Sequence, residues 1–393
     1  MKTIKLFSIS LLLFLFSCSE KEDPIVIETL ESSKLLFTRG QGEMSNLMDL
    51  AGLQQLKPYL NYDVAFYEIT YKTNYLGQEI LASGLVTFPK TDVAVPMMSF
   101  QHGTMVKHSD APTVDQSTYT FLSSVASAGY IFLVPDFIGF GSSSNVLHPY
   151  YHKDLTASSV VDMLKAAREL SIQEGYHFDG KVFLSGYSEG GYATMATHKE
   201  MEENPIAGLE LVASAPSSGG YDIKGMQEYF FKLSTYHQPF YMAFVAMAYQ
   251  SVYGWTNFSS LFFQEPYASQ LPVLFDGTLS GGAINANLTN VVADLIQPNL
   301  LANIDTDNTY SELVAAFEEN SLDQWIPTTT MYMYHGTDDI TVPYQNSVDV
   351  YNNMIALGAD ETIVTFTPLV GYTHNTGFFP YFFDVLDKFD QLK

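Results

Sequence analysis

The sequence predicts an α/β fold in which a mostly parallel, doubly wound sheet carries helices on both faces. Strand-like and helix-like segments alternate along most of the chain, a pattern typical of parallel sheets. Two strand-like runs that resemble a hairpin precede this alternation. With 393 residues, 47% of them hydrophobic and only 16% charged, the chain can bury a sizeable core and is not disordered as a whole.

The predicted hairpin consists of Asp63–Tyr75 and Ile80–Pro89, which are rich in β-branched and aromatic residues. The segment Leu76-Gly77-Gln78 separates the two runs and is the predicted turn. Helical spacing of apolar residues is clearest over Leu155–Glu174. Further strands are predicted at Pro96–Gln101, Tyr130–Val134, Lys181–Leu184, Leu209–Ala213, Thr330–Tyr334 and Thr362–Phe366.

One long segment breaks the alternation. Residues 216–328 contain no convincing β-α unit, yet they are strongly aromatic, especially between Tyr229 and Trp255. Structureless loops of this size are uncommon in compact domains, so the segment is predicted to be a helical insertion packed over the sheet. Its aromatic residues fit either ordinary core or a lid over a binding site. The core of the fold is then divided into residues 35–215 and 329–393.

The N-terminal residues predict export. A basic start precedes the apolar run Leu6–Phe16, which makes residues 1–17 a predicted signal peptide. That run is shorter than the about 20 residues of a membrane span. The sequence Leu15-Phe16-Ser17-Cys18 resembles a bacterial lipobox, so we expect Cys18 to be lipidated and residues 18–34 to form a polar tether. The alternative is an ordinary signal peptide with a chance cysteine.

The residues after Cys18 favour an outer-membrane lipoprotein. Ser19 stands where an Asp often signals retention at the inner membrane, and the run Glu20 to Asp23 fits either a cell-surface tag or a solvated tether. The periplasmic and cell-surface faces therefore both stay open. A net charge of −25 argues against nucleic acid as a partner, because no basic stretch is present to displace phosphate counterions. With one cysteine, the chain cannot form an intramolecular disulfide.

The strongest chemical motif is Gly186-Tyr187-Ser188-Glu189-Gly190, which has the pattern G-x-S-x-G. It directly follows the apolar strand Val182-Phe183-Leu184 and directly precedes a helix-like segment, the setting of a nucleophile elbow. Small residues on either side let a strained serine turn lie close to its neighbours, with the hydroxyl exposed above the sheet. Ser188 is therefore the candidate nucleophile; a serine in an ordinary β-α turn is the alternative.

A serine nucleophile needs a base that an acid orients, and in folds of this kind the chain order is serine, acid, histidine. His335 ends a predicted strand and marks the turn that would carry the acid, which leaves His374 as the histidine further along the chain. Either Asp338 or Asp339 in that turn can supply the acid. A lone surface histidine is the alternative for His374.

The oxyanion of an acyl-transfer intermediate needs two backbone N–H donors. The predicted donors are Glu189, directly after the nucleophile, and Thr104, in the loop that follows an early strand. His148 and His152 lack the sequence context of a zinc site, and no metal or organic cofactor is expected.

These residues resemble the α/β-hydrolase superfamily and, within it, a secreted bacterial and fungal lipase and esterase group. The resemblance spans roughly residues 80–380. It implies Ser188 as nucleophile, Asp339 as the acid of the H-G-x-x-D pattern and His374 as the base. It also implies a lid inserted between the sixth and seventh strands. The matching segments are Gln101-His102-Gly103-Thr104, Val134-Pro135-Asp136 with Gly139 and Gly141, His148-Pro149-Tyr150, Gly186–Gly191 and His335–Pro343.

The resemblance predicts a serine esterase or lipase that acts on a small-molecule or lipid ester and is held at the membrane through Cys18. Two alternatives share the same scaffold: a serine peptidase of the prolyl-oligopeptidase type, and a catalytically inactive surface-binding lipoprotein. The acyl chain, the alcohol, the oligomeric state and the mobility of the insertion stay open at this point.

Overall fold

The computed structural model describes residues 28–393, and one nine-stranded sheet organises them, with the strand order β1-β2-β3-β5-β4-β6-β7-β8-β9. The first strands are antiparallel, and β4 to β9 are parallel to one another. This is the mostly parallel sheet that the sequence predicts. The strands are β1 Leu30–Arg39, β2 Val64–Tyr75, β3 Gln78–Pro89, β4 Val95–Gln101, β5 Ile131–Pro135, β6 Phe178–Tyr187, β7 Glu210–Ser217, β8 Thr330–Gly336 and β9 Val364–Leu369.

Helices cover both faces of this sheet because the side chains of its central strands are apolar on both sides. In β6, Val182 and Leu184 enter one buried cluster and Phe183 enters the cluster on the opposite face. The main helices outside the insertion are α1 Gln41–Ala51, α2 Gln116–Ser123, α3 Lys153–Glu174, α4 Glu189–Glu203, α13 Tyr344–Leu357 and α14 Phe378–Asp390. Helix α3 packs on the face of Leu184, and α14 packs on the face of Phe183.

The strand order opens a crevice at one edge of the sheet. The chain leaves β4 towards β5 on one side, whereas β6 pairs with β4 on the other side and leads on to β7. Such a reversal of strand order leaves a crevice beyond the carboxyl ends of the strands, where open α/β sheets bind their ligands. The ends of β4 and β6 carry the Gln101–Thr104 and Ser188 segments that the sequence analysis singled out.

The predicted insertion is helical. Between β7 and β8 the chain forms short helices whose aromatic side chains pack into one large buried cluster. We call residues 223–319 the cap. Its helices are α5 Ile223–Phe231, α6 Phe240–Tyr253, α7 Phe258–Phe262, α8 Tyr267–Leu274, α9 Gly281–Asn285, α10 Val292–Leu295, α11 Pro298–Asn303 and α12 Ser311–Glu319.

The edge strand β1 corrects two details of the sequence analysis. The predicted tether, residues 18–34, overlaps β1, which pairs antiparallel with β2 from Leu30 onward. The strand was missed because it lies at the sheet edge and exposes half of its side chains, so that its sequence is largely polar. Since β1 adds a strand before the hairpin, the insertion follows the seventh strand of this sheet, not the sixth.

The signal peptide, Cys18 and the first part of the tether lie outside the described residues. Within residues 28–393, no helix is long and apolar enough to cross a membrane.

A partly buried carboxylate connects the end of the insertion segment to α4. Glu202 Oε1 accepts hydrogen bonds from the backbone N–H of Thr328 at 2.9 Å and of Thr329 at 2.6 Å, directly before β8. His198 Nε2 lies 3.1 Å from the same oxygen. Burial by itself raises the pKa of Glu202, but the hydrogen bonds and the His198 charge outweigh it and lower the pKa to about 2.

We expect Glu202→Gln to lower the free energy of unfolding at pH 7 by about 1.5 kcal/mol, the scale of a hydrogen bond to a charged group. Because the folded pKa lies below the unfolded one, this contribution is complete above the unfolded value of about 4.3 and disappears as the pH falls towards 2. Chemical denaturation between pH 7 and pH 3 measures the difference. Glu203→Gln, at the exposed neighbouring position, is the control. A difference that does not shrink with falling pH would contradict the assignment.

Candidate active site

Ser188 occupies the turn between β6 and α4, with backbone angles φ 62° and ψ −126°. A non-glycine residue in this sparsely populated region costs about 1–3 kcal/mol, so the surrounding structure has to hold it there. The flanking glycines allow the tight turn: a Cβ on Gly186 would lie 2.1 Å from the Gly190 oxygen, and one on Gly190 would lie 1.9 Å from the Gln101 oxygen. The motif therefore forms the elbow that the sequence predicts.

Two tyrosines that the sequence analysis missed support this turn. The Tyr381 hydroxyl, on α14, accepts a hydrogen bond from the Gly186 N–H at 2.8 Å and donates one to the Ala215 carbonyl at 2.7 Å. The Tyr187 hydroxyl donates to the His374 carbonyl at 2.7 Å. The elbow is thus tied to β7 and to the loop that carries His374.

The structure brings Ser188, His374 and Asp339 into one chain of hydrogen bonds. His374 Nε2 lies 2.8 Å from Ser188 Oγ, and His374 Nδ1 lies 2.6 Å from Asp339 Oδ2. Asp338, the rival acid, is exposed and accepts a hydrogen bond from the Thr337 hydroxyl. Of the two neighbouring carboxylates, therefore, only that of Asp339 contacts the histidine.

Asp339 is held as an ionised acceptor. Its Oδ1 accepts from the backbone N–H of Thr341 at 2.9 Å and of Val342 at 3.0 Å, while His335 Nε2 lies 3.2 Å from Oδ2. Burial alone would raise the pKa of Asp339, but the hydrogen bonds and charges of His335 and His374 hold it well below its usual range. His335 makes no contact with Ser188 and serves to orient the acid instead.

The two predicted oxyanion donors lie on either side of the serine. The Gln101–Thr104 loop passes close to the elbow, since a Cβ on Gly103 would lie 3.5 Å from Ser188 Cβ. Within residues 28–393, the backbone N–H groups of Thr104 and Glu189 donate to no other protein group. The Thr104 hydroxyl lies 2.9 Å from the Tyr150 hydroxyl, which fixes the loop. Both N–H groups are therefore free to bind a developing oxyanion.

The side chain of Glu189 is buried beneath the same turn and pairs with His148. His148 Nε2 lies 2.5 Å from Glu189 Oε1, its Nδ1 lies 2.6 Å from the Ile138 carbonyl, and both side chains are almost fully buried. The carbonyl can only accept, so Nδ1 donates to it, and the imidazole is held between this carbonyl and the carboxylate. In the sequence, His148 was noted for its motif but had no role.

A cavity opens directly beside Ser188, with about 660 Å³ of empty space when its open mouth is included. Its floor comes from the core and most of its wall from the cap, above all from α5 and α6. The lining residues are Tyr150, Tyr151, Ser188, Ile223, Met226, Gln227, Phe230, Phe231, Tyr236, Tyr241, Met242, Val245, Phe262, Phe317, Thr341 and Val342.

No carboxylate and no lysine or arginine is among these lining residues. In the described part of the chain, no group of three or more histidine, cysteine or acidic side chains is arranged to hold a metal ion. The site thus offers a serine, a paired base and two free N–H donors beside an apolar cavity.

This sheet, the strained serine turn and the Asp–His–Ser chain identify the protein as a member of the α/β-hydrolase superfamily and as a hydrolase, as the sequence motifs predict. The sequence profile of the prolyl oligopeptidase family matches residues 116–208, which include the elbow. No curated protein sequence matches the chain.

Solved structures agree with this fold. A protein from Legionella pneumophila, provisionally described as a hydrolase, is 26% identical with a TM-score of 0.82, covering 93% of this chain and 98% of that one. The ligand-bound rice cell wall degrading esterase LipA from Xanthomonas oryzae is 24% identical with a TM-score of 0.81, covering 93% and 99%. Lipase A of Candida antarctica in its closed state is 15% identical with a TM-score of 0.66, covering 93% and 82%.

We expect Glu189→Ala to lower the free energy of unfolding by about 1–3 kcal/mol, because it leaves His148 Nε2 buried without a hydrogen-bond partner. Urea or guanidinium denaturation at pH 7 measures this. Glu203→Ala removes a carboxylate from the exposed end of the same helix, where it pairs with Lys199, and should cost less than about 1 kcal/mol. Equal losses in the two variants would show that the His148 pair does not hold the turn.

Proposed function

We propose that the protein is a serine hydrolase that cleaves carboxylic esters through an acyl-enzyme on Ser188. The observation that carries the proposal is the continuous hydrogen-bond chain from Asp339 through His374 to Ser188, beside an apolar cavity. A scaffold that only binds ligands has no physical need for this arrangement, which argues against an inactive surface protein.

The reaction begins when His374 Nε2 takes the proton of the Ser188 hydroxyl as Oγ bonds to the ester carbonyl carbon. The carbonyl oxygen becomes an oxyanion, and the N–H groups of Thr104 and Glu189 stabilise it. Asp339 keeps His374 in the tautomer that accepts at Nε2 and stabilises the imidazolium. The carbon–oxygen bond to the alcohol then breaks, and His374 returns the proton to the departing alcohol.

Hydrolysis of the acyl-enzyme repeats these steps with water. His374 takes a proton from the water as its oxygen bonds to the acyl carbon, and the same N–H donors hold the second oxyanion. The bond to Ser188 Oγ breaks, the serine recovers its proton from His374, and a carboxylic acid leaves. His374 carries out each of these proton transfers.

The lining of the cavity favours esters over peptides. The match to the prolyl oligopeptidase family makes a peptidase the second candidate. However, the cavity lining contains no carboxylate that could bind a peptide amine, and the cap over the site is helical, with no propeller among residues 28–393. Apolar and aromatic walls instead suit the acyl or alcohol part of a neutral ester. The LipA and lipase A structures, an esterase and a lipase, share the fold.

Replacing members of the triad tests the proposal. We expect Ser188→Ala to lower kcat for p-nitrophenyl ester hydrolysis by a factor of about 10⁵–10⁶, and Asp339→Asn to lower it by about 10⁴, because the histidine then adopts the wrong tautomer. Initial rates with p-nitrophenyl butyrate measure both effects.

Asp338→Asn is the matched control for Asp339→Asn, since it removes the neighbouring but exposed carboxylate, and its rate should stay within about twofold of the wild type. Labelling with a fluorophosphonate should occur in the wild type and disappear in Ser188→Ala. Peptide p-nitroanilides should be cleaved far more slowly than the esters. Ester hydrolysis by Ser188→Ala at the wild-type rate would overturn the proposal, and a preference for the peptides would favour the peptidase.

We also propose that the enzyme is exported and anchored in the outer membrane through lipidated Cys18. The N-terminal segment lies outside the described residues. The support for this proposal is therefore the sequence alone, namely the signal-like run and the position of Cys18. In a Gram-negative host grown with labelled palmitate, we expect the wild type to carry label and to sediment with membranes. Cys18→Ser should carry no label and should not sediment. A Cys18→Ser protein that still incorporates palmitate would contradict lipidation at this residue.

A further inference from the structure

One polar side chain in the wall of the cavity has no partner. Gln227 lies on α5 and is 7% exposed, and its amide Oε1 is buried without a hydrogen-bond donor among the described residues. Its Nε2 likewise donates to no other residue of the described chain. The other side chains that α5 contributes to the cavity are the apolar Ile223, Met226, Phe230 and Phe231.

An unpaired buried amide is costly. Leaving such a group without a partner costs about 1–3 kcal/mol, and nearly all buried polar groups in native proteins are paired. An apolar residue at position 227 would suit this wall better if the cavity received only hydrocarbon. The amide therefore points to a ligand group that pairs with it when the cavity is filled.

A hydroxyl group on the same wall of the cavity also supports a polar ligand group. Tyr241, on α6, lines the cavity, and its hydroxyl makes no hydrogen bond to another residue within 28–393. Burial raises the pKa of Tyr241 to about 12, so the hydroxyl keeps its proton and stays available as a donor at neutral pH. The cap thus presents an amide and a phenol that have no protein partner to a cavity whose lining is mainly aromatic and aliphatic.

We propose that Gln227 is a specificity-determining residue that binds a hydroxyl group carried by the apolar part of the ester substrate. A hydroxyl is the group that fits, because it can accept from Nε2 and, once the amide turns towards the cavity, donate to Oε1. The substrate class is then an ester whose cavity-bound part has an apolar body and a hydroxyl remote from the ester carbonyl. This inference rests on the proposed esterase function and refines it.

Matched ester pairs test the proposal. One series pairs p-nitrophenyl alkanoates of four to twelve carbons with their ω-hydroxy counterparts, together with phenylpropanoate and 4-hydroxyphenylpropanoate. A second series pairs acetates of alkyl and arylalkyl alcohols with their hydroxylated counterparts. The readout is the ratio of kcat/KM between the hydroxylated ester and its deoxy partner, measured for wild type and for Gln227→Leu.

At one or more chain lengths we expect the wild type to prefer the hydroxylated ester by about tenfold or more, and Gln227→Leu to abolish or reverse that preference. A preference in the first series assigns the hydroxyl to the acyl group, and one in the second assigns it to the alcohol. Tyr241→Phe should reduce the preference less. Glu228→Gln, at the exposed neighbouring position on α5, should leave the ratio as in the wild type.

Thermal unfolding shows whether Gln227→Leu is folded, and its Tm should equal or exceed that of the wild type because an unpaired amide is removed. If the wild type cleaves the esters but Gln227→Leu leaves every ratio unchanged, the inference is overturned and the esterase function stands. If the wild type cleaves none of these esters, or cleaves them by a route that does not need Ser188, the proposed esterase function is wrong, and the inference about Gln227 is overturned with it.

Discussion

The close approach of the elbow to the neighbouring strand is the constraint on which the rest of the site depends. Gly186 and Gly190 bring the backbone so near to itself and to Gln101 that a methyl group would collide at either position. Because this contact seats the start of α4 against the end of β4, it sets the distance between Ser188 and the Thr104 loop. The strained backbone of Ser188 is tolerated because packing and hydrogen bonds on every side over-determine it.

Hydrogen bonds connect this turn to parts of the chain that lie far away in the sequence. Tyr187 joins the elbow to the His374 loop, and Tyr381 joins it to β7 and α14. The Asp339 carboxylate, which also contacts His374, is held by hydrogen bonds from two backbone N–H groups of its own turn. The side chains of His374 and Asp339 are thus held in place by the protein in the absence of substrate, which is the condition for electrostatic preorganisation.

The sequence predicted the parts of this structure that local signals encode. Alternating apolar strands and helices indicated the parallel sheet, and the glycine-flanked serine together with chain order indicated Ser188 and His374. Residue type alone did not separate Asp338 from Asp339, because the choice depends on which way two adjacent side chains turn. The resemblance to the H-G-x-x-D pattern was what implied Asp339.

The residues that sequence reasoning missed act over long distances in the chain. Tyr381 contacts a residue 195 positions earlier, and His148 pairs with a residue 41 positions later. A tyrosine or histidine buried by such contacts looks like any other core residue in the sequence. Edge strand β1 was missed for a different reason: with one neighbour and a solvated face, it needs no hydrophobic pattern.

The reacting groups and most of the cavity wall come from different parts of the chain, the core and the cap. The proposed triad and oxyanion donors belong to the sheet and its loops, whereas most of the cavity wall belongs to α5 and α6 of the insertion. Substitutions in those helices can change the shape and polarity of the cavity while the reacting atoms keep their positions. Related proteins with this core can therefore diverge in substrate through the insertion alone.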